Sequence, residues 1–106
     1  IPQWAKRFIE LNIFSTEEQW QHFLEEFKDC YGNVLTELQE QYPRLTATDI
    51  QAIALYILGM DNSDICLLLG LSQRTVWSRR QRIKARIGMS ENESLDKWIE
   101  GLVFSV

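Results

Sequence analysis

Apolar residues recur along this chain at three- and four-residue steps, the spacing that lines one face of an α-helix. The longest such run is Trp20, Phe23, Leu24, Phe27, Cys30, Tyr31, Val34, Leu35 and Leu38. It predicts one amphipathic helix of about 25 residues beginning near residue 16, with Glu17, Glu25, Glu26, Asp29 and Glu40 on its wet face. Ser15 followed by Glu18 reads as the capping box that starts it. Gly32 weakens its middle and marks a kink or a break. Tyr42-Pro43 ends it, because the residue before a proline avoids the α region. Residues 1–14 carry Trp4, Phe8, Ile9, Leu11, Ile13 and Phe14 in a stretch too short to assign, and read as the tail of an upstream element.

Downstream, the periods shorten and the punctuation becomes regular. Thr46 and Asp49 form a cap before Ile50, Ile53, Ala54, Ile57 and Leu58, and Gly59 stops that helix. Asp61 and Asp64 repeat the arrangement before Ile65, Cys66, Leu68 and Leu69. Gly70 closes that helix and Ser72 caps the next one. Glu93 to Val103 reads as a last short helix with Leu95, Trp98, Ile99 and Leu102 on one side. No stretch alternates with the two-residue period of a strand. The chain is therefore predicted to be all-α, a helical bundle of roughly five helices. Two short helices joined by a Gly-containing turn make a helix-turn-helix, preceded by the long amphipathic helix. Residues 1–44 form an N-terminal extension that packs on the rest or dimerises, and residues 45–106 form the helix-turn-helix domain.

Charge changes this picture from a bundle to a reader. The chain of 106 residues is net acidic at −4. Between Ser72 and Ser90, however, it holds Arg74, Arg79, Arg80, Arg82, Lys84 and Arg86 and no acid. Positive charge confined to one helix-length window points to a polyanionic partner for that window. The acid-rich segment 1–44 should face away from it. No apolar run reaches the roughly 18 residues of a membrane span, and no signal segment is evident. Cys30 and Cys66 lie inside apolar helical patterns and read as buried free thiols of a reducing cytoplasm. His22 is the only histidine and reads as a polar-face residue. No metal site, cofactor site or catalytic constellation is predicted: there is no Gly-rich phosphate loop and no nucleophile with a candidate base.

On a helical wheel centred on Val76, Ile83 and Ile87 fall within about 20° of it and define a buried stripe. Arg74, Ser78, Gln81 and Ala85 lie opposite, with Trp77 and Arg82 on the flanks. Such a face can enter a major groove, where Gln pairs with adenine and Arg with guanine. Arg74, Trp77, Ser78 and Gln81 are the candidate base contacts. Arg79, Arg82, Lys84 and Arg86 are candidate phosphate contacts, joined by Ser72 and Thr75 at the helix N-terminus. Trp77 either packs on the neighbouring helix or lies in the groove. For Arg80, a structural ion pair with an acid such as Asp49 or Asp64 competes with phosphate binding.

These residues carry a family resemblance. Leu45-Thr46, Gly59-Met60-Asp61-Asn62-Ser63-Asp64-Ile65, Leu71-Ser72-Gln73-Arg74-Thr75-Val76 and Ile83-Lys84-Ala85-Arg86-Ile87-Gly88 together resemble the LuxR-type (GerE-like) DNA-binding domain, over about residues 45–104. The lead-in from Trp20 to Pro43 looks like that of Bacteroidetes regulators, in which this domain ends a longer sensor protein. The resemblance implies a four-helix domain whose third helix reads double-stranded DNA, with the last helix often contributing to a homodimer. With the free thiols and the lack of a catalytic constellation, the expectation is a cytoplasmic domain with no small-molecule substrate. Trp77 stands where the family commonly has Lys and Arg79 where it has His, so its base preference does not transfer. Cys66 replaces the usual Ala. The leading expectation is thus the DNA-binding output domain of a transcriptional regulator. A σ-factor-like promoter-recognition region has a similar helix-turn-helix, and a helical interaction module without DNA binding is the alternative of a different class.

Overall fold

The computed structural model describes residues 1–10 and 16–104. Among them the chain forms seven helices and no strand: α1 (Gln3–Glu10), α2 (Glu17–Tyr31), α3 (Val34–Gln41), α4 (Ala47–Ile57), α5 (Asn62–Leu69), α6 (Gln73–Arg86) and α7 (Leu95–Phe104). The all-α expectation holds, with more helices than the periodicity suggested. Residues 3–10 form a helix of their own that buries Ala5 and Phe8. The long amphipathic helix is two helices, because Gly32 takes φ 69° and ψ −150° and breaks the ladder between α2 and α3. That conformation is open to glycine and strained for side chains with a Cβ. The expected cap at Ser15 lies outside the described residues. Thr16 carries the N-cap of α2, its side chain accepting from the Gln19 amide.

The two predicted caps downstream form as read. The Thr46 hydroxyl accepts from the Asp49 amide at 3.1 Å, and Asp49 Oδ2 accepts from the Thr46 amide at 2.9 Å. Asp61 and Asp64 do the same at the start of α5. Each box satisfies two otherwise orphaned amides and fixes where its helix begins.

Helix α4 is the axle of the molecule. Ile50, Ala52, Ile53, Ala54, Leu55 and Tyr56 are all buried, so it is covered on every side. It packs against α7 and α3, and α5 packs against α6. One apolar cluster runs from Ala5 and Phe8 through Phe23, Phe27, Leu35, Ile53 and Leu55 to Val76, Ile83 and Ile99. Its N-terminal end is aromatic. Phe8 meets Phe23 edge-on at 5.9 Å, Trp20 stacks on Phe23 at 5.2 Å, and Tyr31 lies 4.7 Å from Phe27. The apolar stripe of α2 is therefore buried inside the molecule. Cys30 departs from the reading: it is exposed, Cys66 is half-buried, and both are free thiols. Cys30 sits at the stripe's edge, close to the break at Gly32, where the chain turns and leaves that position uncovered.

Candidate nucleic-acid interface

Helix α5, the turn Gly70-Leu71-Ser72 and α6 form the helix-turn-helix. Gly70 adopts φ 66° and ψ 35°, the left-handed conformation that ends a helix and that most residues avoid. The amide of Leu71 donates back to the Cys66 carbonyl at 3.1 Å, locking the reversal. Ser72 then starts α6, accepting from the Thr75 amide at 3.1 Å while its hydroxyl also bonds Thr75 Oγ1 at 3.0 Å. Both hydroxyls expected at phosphates thus stand at the open N-terminus of α6.

Helix α6 seats itself through Val76 and Ile83, which are 1% and 0% exposed. Those two contacts set its rotation. They turn Arg74, Trp77, Arg82 and Ala85 to solvent, with Ser78, Arg79 and Gln81 half-exposed beside them. The wheel and the fold agree on this face. Trp77, left open between core and surface, is 61% exposed and does not pack on a neighbouring helix. The side chains of Arg74, Arg79 and Arg82 make no hydrogen bond or ion pair to another described residue.

The other three basic side chains of α6 are engaged within the molecule. Lys84, expected at a phosphate, is buried, and its Nζ donates to the Glu91 carbonyl at 3.0 Å. Arg86, expected likewise, donates from Nη1 to Asp49 Oδ2 at 2.6 Å, across to the first turn of α4. Asp49 is only 6% exposed there, against 26% for Arg86. On the wheel both residues lie about 80° from Val76, at the margin of the buried stripe. Angle alone does not separate a phosphate contact from an internal tie at that margin. The segment after α6 folds over Lys84, and α4 lies against Arg86.

Arg80 is the third. Its partners are not Asp49 or Asp64, which hold Arg86 and the α5 cap. Its Nη2 lies 2.9 Å from Asp96 Oδ1 in α7, its Nη1 3.4 Å from Asn62 Oδ1 in α5, and its guanidinium 4.8 Å from the Tyr56 ring centre in α4. Burial opposes its charge, yet the pairing with Asp96 and the contact with Tyr56 outweigh this and raise its pKa further. The Tyr56 phenol is also raised, because burial outweighs the pull of Arg80. Asp96 was missed from sequence; a cation at the edge of a buried stripe signals some acidic partner without naming it.

No group of three or more His, Cys, Asp or Glu side chains among the described residues could hold a metal ion. None of the described helices is long and apolar enough to cross a membrane. His22 is exposed on α2, 3.8 Å from Glu18.

Residues 35–87, half of the chain, match the family described as Sigma-70, region 4. The matched segment runs from α3 through α6 and so contains the whole helix-turn-helix. No curated protein and no solved structure matches the chain.

Proposed function

Because this chain belongs to the sigma-70 region 4 family, a family of DNA-binding helix-turn-helix regions with a regulatory, non-enzymatic role, we propose that it reads double-stranded DNA by laying α6 in the major groove. The observation that carries this is the outward face of α6: three arginines whose side chains lack internal partners, an exposed Trp77, and the polar side chains of Ser78 and Gln81 between them. Arg74, Trp77, Ser78 and Gln81 are the base-reading set, and Ser72, Thr75, Arg79 and Arg82 the phosphate-contacting set. Lys84 and Arg86 leave that second set, since their charges are already matched by a carbonyl and a carboxylate.

The proposed biological role is sequence-specific binding as the output domain of a transcriptional regulator of the LuxR type, acting as a homodimer. The smallness of that phosphate set supports the dimer: Arg79 and Arg82 would neutralise about two phosphates, giving a salt slope of only about −1.8 for one copy, and two copies would double it. A second reading, promoter recognition in the manner of a σ factor, is favoured by the family match over residues 35–87. The two differ in the DNA they select: paired half-sites about one helical turn apart for a dimer, a single asymmetric element for a σ-like region.

The test is fluorescence anisotropy on duplex DNA at ~50 and ~200 mM salt, with the Arg79/Arg82 double alanine as control. Binding that weakens steeply with salt and is lost in the double variant is expected. Gln81→Ala should change sequence preference, while Arg82→Ala weakens all sequences alike. Equal, uniform losses from both would refute the division between base and phosphate contacts. Wild-type protein indifferent to duplex at both salts would refute the DNA-reading function itself.

A further inference from the structure

A basic side chain on a DNA-reading helix invites assignment to a phosphate, and Arg80 has been drawn away from that role by three elements at once. Its side chain is 15% exposed although it belongs to the most basic helix of the chain, whereas its partner Asp96 is 71% exposed. The guanidinium therefore reaches across the fold to Asp96, and the acid stays in water. The contact set spans α4 through the Tyr56 ring, the first residue of α5 through Asn62, and the first turn of α7 through Asp96. A planar fork with several fixed donors can hold three partners in one geometry; an ammonium on a flexible stem cannot.

This placement matters because of how little else ties α6 at that level. The apolar seat of α6 is Val76 and Ile83, both on one narrow stripe. A stripe that narrow sets which side faces inward and leaves the helix able to rock about its contact line. Lys84 and Arg86 hold the C-terminal end of the helix, through Glu91 and Asp49. Arg80 lies midway along α6 and is the tie that reaches α7.

We propose that Arg80 is a positioning residue for DNA reading, fixing the attitude of α6 by clamping it to Tyr56, Asn62 and Asp96, and that Asp96 promotes DNA binding despite its negative charge. The proposal rests on the duplex-reading function given above. It makes a prediction opposite in sign to simple electrostatics. Removing an acid near a polyanion should strengthen binding. Removing Asp96 should weaken it, because the clamp is lost.

The experiment compares Arg80→Ala, Arg80→Lys, Asp96→Ala and, as an electrostatic control, Glu100→Ala. Glu100 is an exposed acid on α7 four residues from Asp96, with no bond to Arg80. Each is titrated against the duplex that binds wild-type protein best, across a salt series. Both Arg80→Ala and Asp96→Ala should lose affinity by roughly five- to 150-fold, the scale of a lost base contact. They should also lose discrimination between that duplex and a scrambled one, which a loss of stability alone would not produce in the folded fraction. The salt slope should stay at its wild-type value. Arg80→Lys keeps the charge and the stem, and should not restore discrimination. Glu100→Ala should bind as wild type or more tightly. A slope lower by about one in Arg80→Ala, with tighter binding by Asp96→Ala, would show Arg80 to be a phosphate contact and overturn the proposal.

A measurement without DNA keeps the two hypotheses apart. Amide residual dipolar couplings report the orientation of α6 relative to α4, and should change in Arg80→Ala and Asp96→Ala while the other helices keep theirs. Unchanged α6 orientation would overturn the positioning role whatever the DNA result. A changed orientation in a protein that never binds duplex would leave only the structural clamp standing, and would refute the DNA-reading function and the part of Asp96 in binding.

Discussion

Removing the Arg86 side chain tests how far the last turn of α6 depends on α4. Arg86 Nη1 lies 2.6 Å from Asp49 Oδ2, and that same oxygen accepts the Thr46 amide. Asp49 is nearly inaccessible, so Arg86→Ala leaves a buried carboxylate with a backbone amide as its one remaining partner outside its own residue. Breaking a fully buried pair costs ~3–5 kcal/mol, and the partial exposure of Arg86 lowers the expectation to about 2–3 kcal/mol. For a domain of this size that is a fall in Tm of roughly 10–20 °C. Asp49→Ala removes the pair and the capping-box acceptor together, adding about 0.5–2 kcal/mol. The double variant should then lose less than the sum of the two, with a coupling of about 1–3 kcal/mol. Urea and thermal unfolding followed by far-ultraviolet circular dichroism measure all three. A loss under about half a kcal/mol in Arg86→Ala, or strict additivity in the double variant, would refute the internal tie and return Arg86 to the phosphate-contacting set.

Two further outcomes follow from burial. Ile83→Ala truncates a side chain with no exposed surface and should cost ~2–5 kcal/mol in the same unfolding assay; a loss below half a kcal/mol would mean that α6 is rotated from the orientation described. The Tyr56 phenol is raised above its ordinary value of 10.0 by burial. The unfolded chain therefore gives up that proton first, and stability is full below pH ~10 and falls as pH rises through the folded-state value. Tyr56→Phe should flatten that alkaline decline in denaturant titrations, and an unaltered decline would refute the assignment.

What could be read from sequence was local. The Thr46–Asp49 and Asp61–Asp64 boxes close within three residues, so their chemistry is visible in four letters. The outward face of α6 was legible because Val76, Ile83 and Ile87 are the branched aliphatic residues between Gln73 and Ile87 and share one narrow stripe. What stayed hidden was set at distance. Arg86 meets Asp49 across 37 positions, and Arg80 meets Asp96 across 16. A helical wheel shows that such a side chain lies at a margin and says nothing about which element arrives there. The break at Gly32 was legible as a weakness, but whether a helix bends or ends depends on what packs on either side. Helix α1 escaped because an eight-residue amphipathic stretch has no stability of its own and forms against the aromatic end of the core.

The setting of Trp77 gives the protein a built-in optical probe of the outward face of α6. Of its four tryptophans, Trp20 is buried and Trp4 and Trp98 are half-buried against the core, while Trp77 stands in water on the flank of α6's outer side. Its indole emission is accordingly the solvent-relaxed, long-wavelength component, and the one that an aqueous quencher removes first. An indole brought against a sugar or a base loses that water and gains a π-face to stack upon. Occupancy of this face therefore registers as a blue-shifted or quenched red edge, with the three inner tryptophans supplying a constant background and no label attached.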